Sequence, residues 1–317
     1  MKTANLSGPG MSPDLTSNST PTPELPPGMT PPVITPVRSP NYWVSTLRKL
    51  RRDPTALISG TIVALLLLMA IFAHQVAPQD PFATSMMSRL HGIGSPGHLL
   101  GTDELGRDML TRLIVGSRLS LFMGIVPVAL AFVIGGSIGI FAGYAGGLSN
   151  TLIMRVVDVF FAFPSVLLAV ALSGTLGAGI GNSLLSLTIV FTPQIVRVAE
   201  SVTTQLRNSD FIEAARSSGA SAFTIVRVHL LGNVLGPIFV YATSLISVSM
   251  ILASGLSFLG LGVEPPNPEW GLMLNTLRTA IYTQPLLAAL PGLMIFITSI
   301  SFNVLADSIR SAMEIKG

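Results

Sequence analysis

The stretch EAARSSGASAFTIVRVHLLGN, residues 213–233, is a compact polar segment set between two long apolar runs, and its reading decides the fold. It holds Glu213, Arg216, Arg227 and His229 within a chain that is otherwise poor in charge. Glu213, Ala214 and Ala215 start a helix strongly, and the paired alanines leave a low surface that a partner can approach. Gly219 breaks the run, so that a second short helix leaves at an angle. Phe223, Val226 and Leu230 recur at helical spacing with Ile225 alongside, which gives the second helix an apolar side. The spacing predicts a helix–turn–helix knob, presented by whatever the flanking runs build.

Those runs are membrane spans. No charged residue occurs over 119–154, 159–196, 230–263 or 279–306, and the second of these runs is interrupted by the glycine-rich turn GTLGAGIGN. A further run, LISGTIVALLLLMAIFAHQVA at 57–77, also reaches the roughly 20 residues that a helix needs to cross a bilayer. Six helices are therefore expected, near 57–77, 119–141, 151–172, 183–203, 236–257 and 286–306. Composition agrees with an all-α polytopic membrane protein. Apolar residues make up 49% and charged residues 10%, against about 25% charged in soluble domains.

Charge sets the orientation. RKLRRDP, at 48–54, precedes the first span and should stay in the cytoplasm. With six spans the C-terminus then lies inside as well, as does the polar segment at 213–233. The inner segments hold thirteen Lys or Arg and the outer ones five: Arg89, Arg107, Arg112, Arg118 and Arg278. The expected organisation is a Pro/Ser/Thr-rich cytoplasmic tail (1–45), the first span and an extracytoplasmic loop (46–116), a membrane core (117–306) and a short cytoplasmic C-terminus (307–317). The tail buries too little apolar surface to order itself, and it lacks the basic-then-apolar pattern of a cleavable signal.

Three features inside the spans stand out. Gly135, Gly139 and Gly143, continued by Gly147, repeat every four residues and present a small-residue face for close helix packing. The fourth span is the least apolar, with Ser183, Ser186, Thr188, Thr192, Pro193 and Gln194, and is expected inside the bundle. Asp158 is an intramembrane carboxylate with Arg155 three residues earlier on the same face, so an interfacial ion pair is expected.

Enzymatic chemistry has little to work with. Without cysteine there is no thiol nucleophile or thiolate metal site. The lysines are Lys2, Lys49 and Lys316, none in a glycine-rich phosphate loop. His74, His91, His98 and His229 show no zinc-enzyme spacing. His91, His98, Asp80 and Asp103 are too scattered to expect a metal site, and a membrane protease would lack its paired groups. A transport role remains.

Glu213, Ala214, Ala215, Gly219 and His229 to Asn233 resemble the EAA loop of bacterial ABC importer permeases, with Gly232 where that family often carries proline. LLGTDELGRDML (99–110), AGYAGG (142–147), MRVVDVFFAFPS (154–165), SFLGLGVEPPNPEWGLML (257–274) and FNVLADSIRSAM (302–313) follow in the same order. Together they resemble the "C" permease subunits of dipeptide and oligopeptide importers, a group that includes glutathione, nickel and opine importers. The resemblance implies a type I ABC importer (MetI-like) transmembrane fold in the bacterial inner membrane. It also implies a homologous "B" permease, two cytoplasmic ATPase subunits that bind ATP and Mg and grip the EAA loop, and an extracytoplasmic solute-binding protein. The chain itself would bind no cofactor and no nucleic acid, and lipid would surround it. A secondary transporter would need coupling-ion groups at the bilayer midplane, and a structural subunit would need neither lever nor passage. ATP- and binding-protein-dependent uptake in vesicles separates the three.

Overall fold

The computed structural model describes residues 42–313, and the tail expected before residue 42 lies outside them. Helix α1 (Tyr42–Leu50) already occupies the end of the span assigned to the tail. Helix α2 (Pro54–Ile71) starts at an Asp53 N-cap, whose carboxylate accepts from the Thr55 amide (3.0 Å), with proline at the first helical position where no amide is needed. Next comes an extramembrane lobe of turns, residues 77–108.

Helix α3 (Met109–Ala145) follows an Asp108 cap that accepts from the Thr111 amide (2.8 Å). At 37 residues it is about 55 Å long, well beyond a hydrocarbon layer of about 30 Å. The sequence placed its start at 119 because Arg112 and Arg118 close the charge gap. The helix in fact extends ten residues further and carries Arg112 into the lobe.

The third expected span is not one straight helix. Helix α4 (Gly147–Phe161) and helix α5 (Ser165–Leu176) meet at 88°, broken at Ala162–Pro164. Pro164 has no amide to donate and disfavours helical geometry at Phe163. Helix α6 (Ile180–Arg207) then crosses the bundle interior, with Ser183, Ser186, Phe191, Ile195 and Thr203 fully buried. Its hydroxyls satisfy themselves within the bundle. Ser186, Thr188 and Thr192 donate to the carbonyls four residues back, and Ser183 donates to the Leu261 carbonyl (2.8 Å).

Helix α7 (Asp210–Ser217) leads to helix α8, which runs over Ala222–Phe258 with a π-helical turn at Ile225–Leu230. Helix α9 (Trp270–Thr276) and helix α10 (Pro285–Met313) complete the fold. Among the described residues five helices are long and apolar enough to span a membrane, and six spans result if the bent pair counts as one. One core joins α3, α6 and α8 around Phe191, Ile195, Ile238 and Leu256. A second joins α2, α3, α9 and α10 around Met109, Trp270 and Phe302.

Candidate functional site

The knob is built by capping. Gly219 has φ +81°, a left-handed conformation that L side chains adopt with strain. Its amide donates to the Arg216 carbonyl (2.9 Å), and the Ala220 amide donates to the Ala215 carbonyl (3.1 Å). This pair of bonds is a Schellman ending, which closes α7 and turns the chain. Ser221 then caps α8 by accepting from the Thr224 amide (3.2 Å).

The underside of the knob is held by Ile212, Ile225 and Leu230, all buried in the α3–α6–α8 core. Its outer side shows Glu213, Ala214, Arg216 and Ser217, with Phe223 (72% exposed) and Val228 (63%) beside them. Arg207 Nη1 donates to the Gly143 (3.3 Å) and Tyr144 (3.4 Å) carbonyls at the end of α3. The Arg216 guanidinium lies 5.7 Å from the Tyr144 ring centroid. Arg207, Asn208, Glu213, Arg216 and Ser217 line an open polar cleft. The knob is thus rigid beneath and open above.

The structure corrects one detail. The second helix of the knob is not a separate short element, because it continues without a break into the next span. Gly232 lies inside that helix, and the Asn233 side chain donates back to the His229 carbonyl (2.8 Å) within it. Knob and span are thus one continuous helix over Ala222–Phe258.

Above the knob, α3 and α6 approach so closely that three glycines are required. A Cβ on Gly135, Gly139 or Gly143 would stand 2.8, 2.5 and 2.8 Å from the carbonyl oxygens of Thr192, Val196 and Glu200 respectively. Gly147 is the first residue of α4 (φ +54°), and a Cβ there would meet nothing within 4 Å. The carboxylate of Asp158 accepts from Arg197 Nη2 on α6, a partner that the sequence did not suggest. Arg155 is also within reach, at 4.0 Å, but is largely exposed.

The extramembrane lobe holds the groups that sequence reasoning missed. Asp103, Arg107, Asp108 and Arg112 are all at least 96% buried. Asp103 Oδ1 accepts from the amides of Leu105 and Arg107 (both 2.9 Å), and its Oδ2 accepts from Arg107 Nε (2.6 Å). Arg112 Nε lies 3.3 Å from the same Oδ2, near enough to pair in charge though not aligned for a hydrogen bond. Its Nη1 donates to the Pro81 carbonyl (2.9 Å). His98 Nδ1 meets Asp108 Oδ1 at 3.0 Å. Among the described residues no three His, Cys, Asp or Glu are grouped to hold a metal ion. The Asp–Arg alternation in TDELGRDMLTR was the available signal, since such charges beside a span must pair if they are buried.

A neighbouring buried carboxylate belongs to Glu269, which caps α9 through the Gly271 (2.9 Å) and Leu272 (2.8 Å) amides. Burial pushes it above the usual carboxylate range, and those amides oppose the shift. The following residue, Trp270, is fully buried and donates from Nε1 to the Leu113 carbonyl (3.0 Å).

Among the described residues a bundle of long apolar helices carries one polar knob on a buried apolar base, the architecture of a multi-pass membrane protein. Comparison with known proteins makes this specific. Residues 135–315 match the family described as "Binding-protein-dependent transport system inner membrane component", and residues 41–92 match the "N-terminal TM domain of oligopeptide transport permease C". The chain belongs to this family: it is a multi-pass inner-membrane permease subunit of a binding-protein-dependent ABC importer, and not an enzyme.

Among curated proteins it is 41% identical over 285 residues to the glutathione transport system permease protein GsiD of Escherichia coli strain 536, covering 90% of this chain and 94% of that one. It is 39% identical over 280 residues to the protein of the same name from Pectobacterium atrosepticum, with coverages of 88% and 92%. Among solved structures, the inward-facing MetNI methionine ABC transporter matches with a TM-score of 0.52. The identity is 22%, covering 65% of this chain and 98% of that chain, so this likeness concerns the fold alone.

Proposed function

We propose that this chain imports a small peptide, the class to which glutathione belongs, as one of two homologous permeases. Two cytoplasmic ATPases carrying ATP and Mg would grip the knob at residues 213–233, and an extracytoplasmic solute-binding protein would deliver the substrate. Both termini and the knob would then face the cytoplasm. The single observation that carries the reading is the capped knob itself. Ile212 anchors it in the core, Glu213 and Ala214 face outward, and its second helix is continuous with α8. ATP-driven closure of the ATPases would thus tilt a 37-residue helix rather than flex a loop.

The substrate class rests on the names of the relatives and on the match over residues 41–92. The test is uptake of labelled glutathione, and of a panel of dipeptides, into proteoliposomes holding the whole complex. Uptake should require both ATP and the binding protein. Uptake driven by an ion gradient alone would overturn the reading.

A further inference from the structure

The two halves of the bent span are attached to α6 in different ways. Half-span α4 is fastened at two heights by polar ties. Near its start Asn150 Nδ2 donates to Glu200 Oε1 (2.5 Å), and near its end Asp158 accepts from Arg197 Nη2. The same guanidinium lies 4.1 Å from the Phe161 ring centroid, so a single side chain holds both the carboxylate and the last ring before the break.

Among the described residues, half-span α5 has no such tie along its length. Ala169 is buried in the core with Leu168, Val170 and Leu172 beside it, all apolar contacts. Ser173 Oγ is buried without a partner. A polar link appears only at its far end, where Asn182 Nδ2 donates to the Leu176 (2.9 Å) and Gly177 (3.2 Å) carbonyls. A small cavity of about 20 Å³, lined in part by Phe163, Ser165, Pro193 and Gln194, separates the bend from α6. That space is a half-open cleft at the surface of the chain.

We propose that Arg197 is a positioning residue that makes α4 and α6 one moving body during import, with flexing confined to Phe163–Pro164 and to α5 beyond it. This rests on the importer reading above. Helix α6 runs from Arg197 to Arg207 in about 15 Å and then enters the knob, so any tilt imposed there reaches Arg197 at once. With Asp158 and Phe161 held, the tilt is passed to α4 and must be absorbed at the proline break. Asp158 and Arg197 are each nearly half exposed, so the pair lies at the edge of the bundle and not in its packed core. Their loss should therefore leave the bundle assembled and change which parts move together.

The test uses the full complex in proteoliposomes. Arg197→Gln and Asp158→Asn should assemble and keep binding-protein-stimulated ATP hydrolysis, while substrate moved per ATP falls about tenfold, in the range that coupling residues reach. Arg155→Gln should leave that ratio unchanged. The chain has no cysteine, so Asp158→Cys with Arg197→Cys places a unique pair. That variant should transport poorly and recover when a short bis-maleimide links the two thiols. A wild-type ratio in Arg197→Gln, or a linked pair that does not recover, overturns the proposal. If Arg197→Gln fails to assemble, the linked pair decides in the same two directions. Absence of ATP-dependent uptake in the unmodified complex would instead overturn the importer reading.

Discussion

Gly139 of α3 lies where one added carbon would stand 2.5 Å from the carbonyl oxygen of Val196 on α6. The two helices that lead toward the knob therefore touch backbone to backbone. In lipid, where burying apolar surface drives helices together only weakly, such contact is a main source of cohesion.

Gly139→Leu should accordingly force α3 and α6 apart, at a cost of about 1–3 kcal/mol or more for overpacking. Gly136→Ala offers the control, because a Cβ there meets nothing within 4 Å. Yield and thermal stability of the purified complex should fall for the first and hold for the second. Equal behaviour would contradict the packing.

The lobe makes a different prediction. Asp103→Ala removes the carboxylate that faces both Arg107 and Arg112. Arg107 keeps Glu104 Oε1 at 3.5 Å, but Arg112 loses the carboxylate it is paired with while still buried, at a cost on the order of 3–5 kcal/mol. Melting of the detergent-solubilised complex should show a clear loss of stability. Gly106→Ala should act in the same direction, since its Cβ would collide with the Ser85 carbonyl. Unchanged melting of Asp103→Ala would remove the ion cluster from the account.

Orientation can be read by labelling single cysteines. Ser217 in the knob and Asn267 in the α8–α9 connection are both exposed. In intact cells an impermeant thiol reagent should label Asn267→Cys and spare Ser217→Cys. The reverse pattern would invert the topology argued from charge.

The spans were legible because charge is excluded from lipid-facing helices, and the knob because Gly219 interrupts a helical pattern between two such spans. The bend was not legible. Pro127, Pro193, Pro237 and Pro291 all lie inside continuous helices, while Pro164 stands in a break, just before the helix that starts at Ser165. Neighbouring helices and hydroxyls can absorb a proline at membrane depth, so proline alone does not mark a break. The Arg197–Asp158 tie was hidden for a related reason. Arg155 is the nearer residue in sequence, but α6 brings Arg197 across from another span. The ion cluster of the lobe stayed unread because the pairing of Asp103 with Arg107 and Arg112 depends on the turn at Gly106, whose φ of +73° fixes how the chain folds back.

The claim at the centre is that the knob transmits ATP hydrolysis to the helices, and changing it tests this most directly. Glu213→Lys reverses an exposed charge and should cost the bundle little, but at a docked, desolvated contact it would weaken ATPase binding by about 2–5 kcal/mol. Gly219→Pro demands φ near −65° where the chain has +81°, and it deletes the amide that closes α7. The measurement is ATPase recruitment together with substrate uptake, in the reconstituted complex, for wild type and both variants. An intact permease pair is expected in each variant, with recruitment lost in Glu213→Lys and uptake abolished in both. Normal recruitment and normal uptake in the two variants would contradict it.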